Sequence, residues 1–410
     1  MSDESWSAHF ADDRVNHSLL RQRAYNFRWA EQPDDVIPLT AADHDFPPPP
    51  AIKVAIGDYL KNGPLSYGPA EGLPEFRAAI AMDLQQGGVP ARSEQVLITD
   101  GAASALFLIA RALLKSGDEA LIFDPVDFLF ERAINAANAY ALRVPFHRKN
   151  GVNIQKFKAL ARRPKVQMIW LCAPHNPYGA IITDDQLHEI VKIAEELGLW
   201  IVSDEVWLRL FYERRQTHTA SLPKATPRTF TVSGFSKCFG LAGLRVGYIH
   251  CPNHAATQLL IKCSHMISTA YGASTLSQIA AMAGLKDCQE WSAAFRAHLT
   301  QQRHLISSRL SALPGLHCDP PESTYLASPY IDHQSEELRY YTSDLLAEFI
   351  LKTARVAVVP GNSRFFGPSA EGLIRLSFAT SKKVLSDALT RIEESWSKRH
   401  VWITSRKVEL

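Results

Sequence analysis

The sequence is poor in cysteine. The six it has, Cys172, Cys238, Cys251, Cys263, Cys288 and Cys318, are scattered with no C-x-x-C pair, which excludes a disulfide framework and reads as free, mostly buried thiols in a reducing compartment. Long apolar runs are missing as well: no stretch approaches the roughly 20 residues that span a bilayer. The first residues, MSDESWSAHFADD, carry acidic side chains and no apolar core, so they do not read as a secretory signal, and a cytoplasmic location is the expectation. Charge of one sign is not in excess, with 44 Lys plus Arg against 42 Asp plus Glu. Without a basic stripe, neither nucleic acid nor an anionic membrane is an expected partner. No repeat at solenoid periods is visible.

What is present is a globular composition, 46% hydrophobic and 21% charged, in a chain long enough for two domains. Short apolar runs at Gln95 to Ile98, Glu119 to Phe123, Val166 to Leu171, Leu199 to Val202, Thr229 to Val232 and Val246 to Ile249 alternate with helical spacing at Ala102 to Leu114, Leu129 to Ala137 and Asp184 to Leu197. That alternation predicts βα units feeding a mostly parallel sheet whose strands are covered on both faces. Up to the proline run Pro47 to Pro50 the chain is polar, aromatic and irregular, an arm and linker. After a helical region from about Ser274 to Leu313, Pro314-Gly315 breaks the pattern and an α+β segment follows. The expected division is residues 1–47 as arm and part of a small domain, 48–299 as a large domain, and 300–410 as the small C-terminal domain.

Five strings carry candidate chemistry. In SGFSKCFGLAGLRVGY (Ser233 to Tyr248) a turn after a strand presents Lys237. A desolvated lysine is an imine-forming nucleophile, and Arg245 further on can grip a phosphate bidentately. SDEVW (Ser203 to Trp207) puts Asp204 at the carboxyl end of an apolar strand, where open α/β sheets bind ligands; such an acid can keep a pyridine nitrogen protonated. APHNPYG (Ala173 to Gly179) offers the Asn176 amide as a donor. TDGAASALFL (Thr99 to Leu108) exposes the N–H groups of Gly101, Ala102 and Ala103 at a helix start, an anion site. GLIRLSFA (Gly372 to Ala379) sets Arg375 inside an apolar strand, where a buried cation needs a partner such as a carboxylate. Each alone also reads blandly: surface cations beside a strand, a cap, a loop asparagine, an ordinary βα turn, a structural ion pair.

Order and spacing together resemble the fold-type I pyridoxal 5'-phosphate (PLP) enzymes, the class I/II aminotransferase superfamily, from Leu39 to about Ile392. SYGPAEGLPEFRAAIA (Ser66 to Ala81) and VVPGNSRFFG (Val358 to Gly367) add to the likeness. The resemblance implies an α/β fold, a large domain with a mostly parallel seven-stranded sheet covered by helices, plus a smaller α+β domain. It implies Lys237 as the carrier of the internal aldimine and shuttle of the Cα proton, Asp204 on the pyridine nitrogen, and Asn176 on the ring oxygen. Arg245, Ser236 or Ser233, and the amides at Gly101, Ala102 and Ala103 would cradle the phosphate, with Tyr67 reaching over from a neighbouring subunit of a homodimer. Arg375 would clamp the substrate carboxylate, with Ala42 and Asn176 beside the substrate, an amino acid exchanging with a 2-oxo acid.

Two positions depart from the family pattern. DPVDFLF carries Asp127 where the family has a ring-stacking tyrosine; a carboxylate offers no aromatic face, so the stacking falls to Phe128. Trp207 stands where a tyrosine bonds the ring oxygen, and an indole donates but cannot accept. Two further strings, LTAADHDFPPPPAI (Leu39 to Ile52) and PESTYLASPYID (Pro321 to Asp332), resemble instead the cystathionine β-lyase-like C–S lyases. Transamination is the first expectation, and β/γ-elimination or cyclisation the second. His44 and His218 stand in or near segments expected to shape the side-chain pocket, or are satisfied loop histidines.

Overall fold

The computed structural model describes residues 6–268, 272–332, 341–399 and 401–402; the first five residues of the expected arm lie outside them. The apolar runs become strands β1 (Val96–Thr99), β2 (Glu119–Asp124), β3 (Tyr140–His147), β4 (Gly151–Val152), β5 (Val166–Cys172), β6 (Trp200–Asp204), β7 (Thr229–Gly234) and β8 (Gly247–His250). They pair in the order β1-β8-β7-β6-β5-β2-β3-β4. Strands β3, β2, β5, β6 and β7 run parallel, β8 is antiparallel between β7 and β1, and the two-residue β4 closes one edge antiparallel to β3.

The central strands are apolar because both faces are covered. All six residues of β2 are buried, and Ile122, Met168, Trp170, Val202 and Phe230 share one core with Ala105, Leu106 and Ile109 of the helix Ala102–Leu113. Each large side chain buried this way stabilises the unit by about 1.5–3 kcal/mol. β3 escaped the reading of apolar runs for a physical reason. It lies one strand from the sheet edge, is exposed at both ends and fully buried only at Val144 and Phe146, and includes Arg143 and Pro145, so it lacks the continuous apolar signature of a central strand.

The chain divides into two compact units. One comprises Pro48–His175 and Ala180–Ser292 and holds the sheet; the other comprises Met1–Pro47, Asn176–Gly179 and Ala293–Leu410. In the second unit Ile37–Pro38 runs parallel to Val356–Ala357, and Ile374–Ser377 pairs antiparallel with both Leu326–Ala327 and Val359–Pro360. The helix Lys382–Trp396 buries Val384, Leu385, Ala388, Leu389 and Ile392, the i, i+3, i+4 stripe of an amphipathic helix. The expected helical stretch after Ser274 is two helices, Thr275–Asp287 and Gln289–Ser311, separated at Cys288. In the proline run, Pro50 takes the first position of the helix Pro50–Asn62, where its fixed φ fits and its missing N–H is no loss.

Gly247 shows how closely strand and turn approach at the start of β8. A Cβ there would lie 2.7 Å from the Ala102 nitrogen, 2.8 Å from the Gly101 carbonyl carbon and 2.8 Å from the Ser233 oxygen. All three are backbone atoms that cannot swing away. Gly247→Ala is therefore expected to destabilise the protein by about 1–3 kcal/mol, read as a lower midpoint in urea; an unchanged midpoint would show that the turn yields freely.

Candidate active site

In the sheet-bearing unit the predicted residues gather around the carboxyl ends of β6 and β7. Asp204 ends β6 and is 8% exposed, with its Oδ1 accepting from the Val206 amide at 3.1 Å. Lys237 sits in the turn after β7, half-buried, its Nζ 5.6 Å from the centre of the buried Trp207 ring. Burial pushes the Asp204 carboxyl up to about 7. Asp127 and Glu205 push the same way, while the Val206 amide and Lys237 oppose it. Removal from water disfavours the charged form, and the neighbouring charges do not compensate.

The anion-binding elements are built by local backbone geometry. Gly101 has φ 123° and ψ 162° and starts the helix Ala102–Leu113. A Cβ at Gly101 would fall 2.7 Å from Arg245 Nη2, so glycine is what admits the guanidinium against the helix start. Arg245 itself is left-handed at φ 49°, with Nη1 donating to the Ala242 carbonyl at 3.1 Å. Of the two candidate serines, Ser233 spends its hydroxyl on the Glu205 carbonyl at 3.2 Å, whereas Ser236 is half-buried in the Lys237 turn.

Phe128 is half-buried at the head of the helix Leu129–Asn135, with the Arg132 guanidinium 4.6 Å from its ring centre. Asp127 caps the same helix start, its Oδ1 accepting from the Leu129 amide at 3.1 Å. Tyr67 is 89% exposed and lines a cavity of about 920 Å³ with Leu65, Ile98, Met266, Thr275 and Gln278.

In the second unit Arg375 is buried on its strand. It donates through Nη1 to Asn176 Oδ1 at 3.2 Å and through Nη2 to the Thr40 carbonyl at 3.2 Å, and lies 5.0 Å over the Phe366 ring. Ala42 accepts from the Tyr325 hydroxyl at 3.1 Å. Arg375, Asn176 and the Thr40–Ala42 strip thus form one constellation. The two histidines are buried: His218 Nδ1 donates to Glu205 Oε2 at 2.5 Å, and His44 packs against Phe295 at 5.1 Å, its proton affinity lowered first by burial. Sequence reasoning missed Thr40, Phe366 and Glu205. Thr40 contributes a backbone carbonyl, which no residue type announces; Glu205 was signalled only as a second acid beside Asp204.

A sheet of this topology, with a lysine turn and a buried acid at its carboxyl edge and an arginine against a helix start, defines a fold-type I PLP enzyme. The residues fit that cofactor: the acid favours a cationic partner, and the Gly101 turn has the form of a phosphate cradle. Residues 34–392 match the family "Aminotransferase class I and II". An aspartate aminotransferase of Pyrococcus horikoshii is 30% identical over 385 residues, 93% of this chain and 95% of that protein. The crystal structure of an aromatic aminotransferase from Pyrococcus horikoshii superposes with a TM-score of 0.82 at 32% identity, covering 90% of this chain and 97% of that one. Cystalysin of Treponema denticola, solved with PLP, gives 0.85 at 22% identity over 95% and 98% of the two chains, a likeness of fold. The chain belongs to the class I and II aminotransferase family; it is an enzyme, and its cofactor is PLP. Among the described residues no helix is long and apolar enough to cross a membrane.

Asp204 makes a pH prediction. Its carboxyl titrates near 7 when folded against 3.8 when free, so the folded chain binds a proton that the unfolded chain has released. Stability from this group is complete below about 4 and is lost as pH rises through 7. Thermal midpoints of the cofactor-free protein are expected to fall more steeply between those limits than those of Asp204→Asn. Parallel curves would show that the carboxyl is not shifted.

Proposed function

We propose that this aminotransferase moves the α-amino group of an amino acid to a 2-oxo acid with Lys237 as the proton-carrying base and Asp204 as the electrostatic anchor of the cofactor ring. Bound PLP supplies an aldehyde that condenses with amines and a ring that accepts the electron pair left at Cα. Asp204, buried at the strand end, would keep the ring nitrogen protonated through the counter-charge of its ionised carboxylate. Lys237 Nζ takes the Cα proton and returns it, and the Trp207 indole beside it limits access of water. Arg245, the Ser236 hydroxyl and the amides of Gly101, Ala102 and Ala103 hold the phosphate. Phe128 supplies the aromatic face, Asn176 donates to the ring oxygen, and Arg375 grips the substrate α-carboxylate near Ala42.

The observation that carries this reading is the buried Asp204 carboxyl beside the Lys237 turn. A homodimer in the cytoplasm, with Tyr67 serving the partner's site, belongs to the same reading. The apolar side chains left in the open at Leu65 (70%), Tyr67 (89%) and Ile267 (72%) support it.

Lys237→Ala is expected to abolish turnover while the fold persists, and borohydride reduction of the wild-type holoenzyme is expected to fix the cofactor to the peptide containing Lys237. A label on another lysine would refute the assignment. With an amino-acid panel, pyridoxamine phosphate is expected to accumulate. Pyruvate, ammonia and thiol would instead mark elimination. Arg375→Ala is expected to lower kcat/KM by about 3 kcal/mol, the order seen when one side of a buried charged contact is truncated; unchanged kcat/KM for every α-amino acid tested would remove Arg375 from the site.

A further inference from the structure

Asp204 does not stand alone on its strand end. Side chains alternate along a strand, so Ser203 and Glu205 point to the opposite side. There Glu205, 2% exposed, accepts from Ser203 Oγ at 2.9 Å, from the Thr219 amide at 3.1 Å and from His218 Nδ1 at 2.5 Å. Its backbone is tied as well: the amide donates to the Val232 carbonyl at 2.8 Å and the carbonyl accepts from Ser233 Oγ at 3.2 Å. Val232 and Ser233 lie on β7, just before the Lys237 turn. The Glu205 backbone thus joins the strand end that presents Asp204 to the strand end that presents Lys237, and its buried carboxylate anchors that junction to the His218–Thr219 segment.

The surroundings are fitted to the histidine. His218 is 5% exposed, and a Cβ on Gly87 would come within 2.5 Å of its Nε2. Gly87 has φ −85°, which any residue adopts, so glycine stands there for space. The same face carries Thr231 and His250, register partners across β7 and β8, with Thr231 opposite Ser203 as well. Thr231 Oγ1, both His250 ring nitrogens and His218 Nε2 find no protein partner among the described residues. Buried polar groups without partners are costly, and those that are satisfied rigidify what they join.

We propose that Glu205 and His218 form a positioning pair that sets how tightly the enzyme holds its cofactor, by fixing the strand ends that carry Asp204 and Lys237. The inference rests on the assignment of those two residues to the cofactor. Groups that orient a ligand's direct partners typically govern affinity by ten-fold or more.

The test is a PLP titration of cofactor-stripped wild type and variants, followed by absorbance, with thermal midpoints in parallel. Glu205→Gln and His218→Leu are expected to weaken PLP binding on the order of ten-fold. His218→Asn, whose amide nitrogen takes the place of Nδ1 as donor, is expected to stay within roughly two-fold of wild type. If Glu205→Gln does not fold, Gly87→Ala presses on the ring without removing a charge and is expected to weaken binding several-fold. Wild-type affinity in Glu205→Gln, His218→Leu or Gly87→Ala, even with a lowered midpoint, would overturn the positioning role and leave the cofactor assignment standing. Loss in His218→Asn equal to that in His218→Leu would also overturn it. A wild-type chain that takes up no PLP would overturn both readings.

Discussion

A carboxyl group buried at the carboxyl end of a parallel strand is the constraint on which the site depends. On the face that Asp204 shares with Val202, Phe230 and Val232 the medium stabilises charge poorly, and the acid is pushed up to about 7. Lys237 lowers it too little to offset burial. The folded chain therefore holds a carboxyl whose ionisation a nearby cation would favour. Asp127 and Glu205, both of which push Asp204 up, deepen that demand.

Asp204 and Glu205 are neighbours with opposite fates. Both are carboxyls on the same strand end, but the pleat sends them to opposite sides. Glu205 meets a hydroxyl, an amide and an imidazole. Asp204 accepts from the Val206 amide and feels the Lys237 ammonium. Residue type does not separate the two acids; the donors around each do.

That distinction marks where the sequence stops being legible. Central strands were readable because continuous apolar runs follow from coverage on both faces, while β3, near the edge with Arg143 and Pro145, was not. Lys237, Arg245 and Gly101 could be found from local strings because a turn and a helix start are local events. Asp127 could be flagged as out of place for a stacking residue, yet its bond to the Leu129 amide and its pressure on Asp204 are visible only in three dimensions. The Thr40 carbonyl, the Phe366 face under Arg375 and the His218 partner of Glu205 come from segments far apart in the chain, joined by packing alone.

The strings that resemble C–S lyases find their explanation in the second unit. In LTAADHDF, Asp43 and Asp45 both pair with Arg28, and Asp45 also accepts from the Trp29 indole at 2.8 Å. In STYLA, the Tyr325 hydroxyl holds the Ala42 carbonyl. Together with the pairing of Ile37–Pro38 to Val356–Ala357, these contacts fix the strip whose Thr40 carbonyl meets Arg375. Arg28 pairs with two carboxylates, whereas the Arg375 guanidinium donates to the Asn176 and Thr40 oxygens over an aromatic face. The shared strings thus pin an arm and a buried arginine. They carry architecture, as does the likeness to cystalysin at 22% identity. Likeness in these segments is a likeness of packing, so it does not weigh against the aminotransferase family to which the chain belongs.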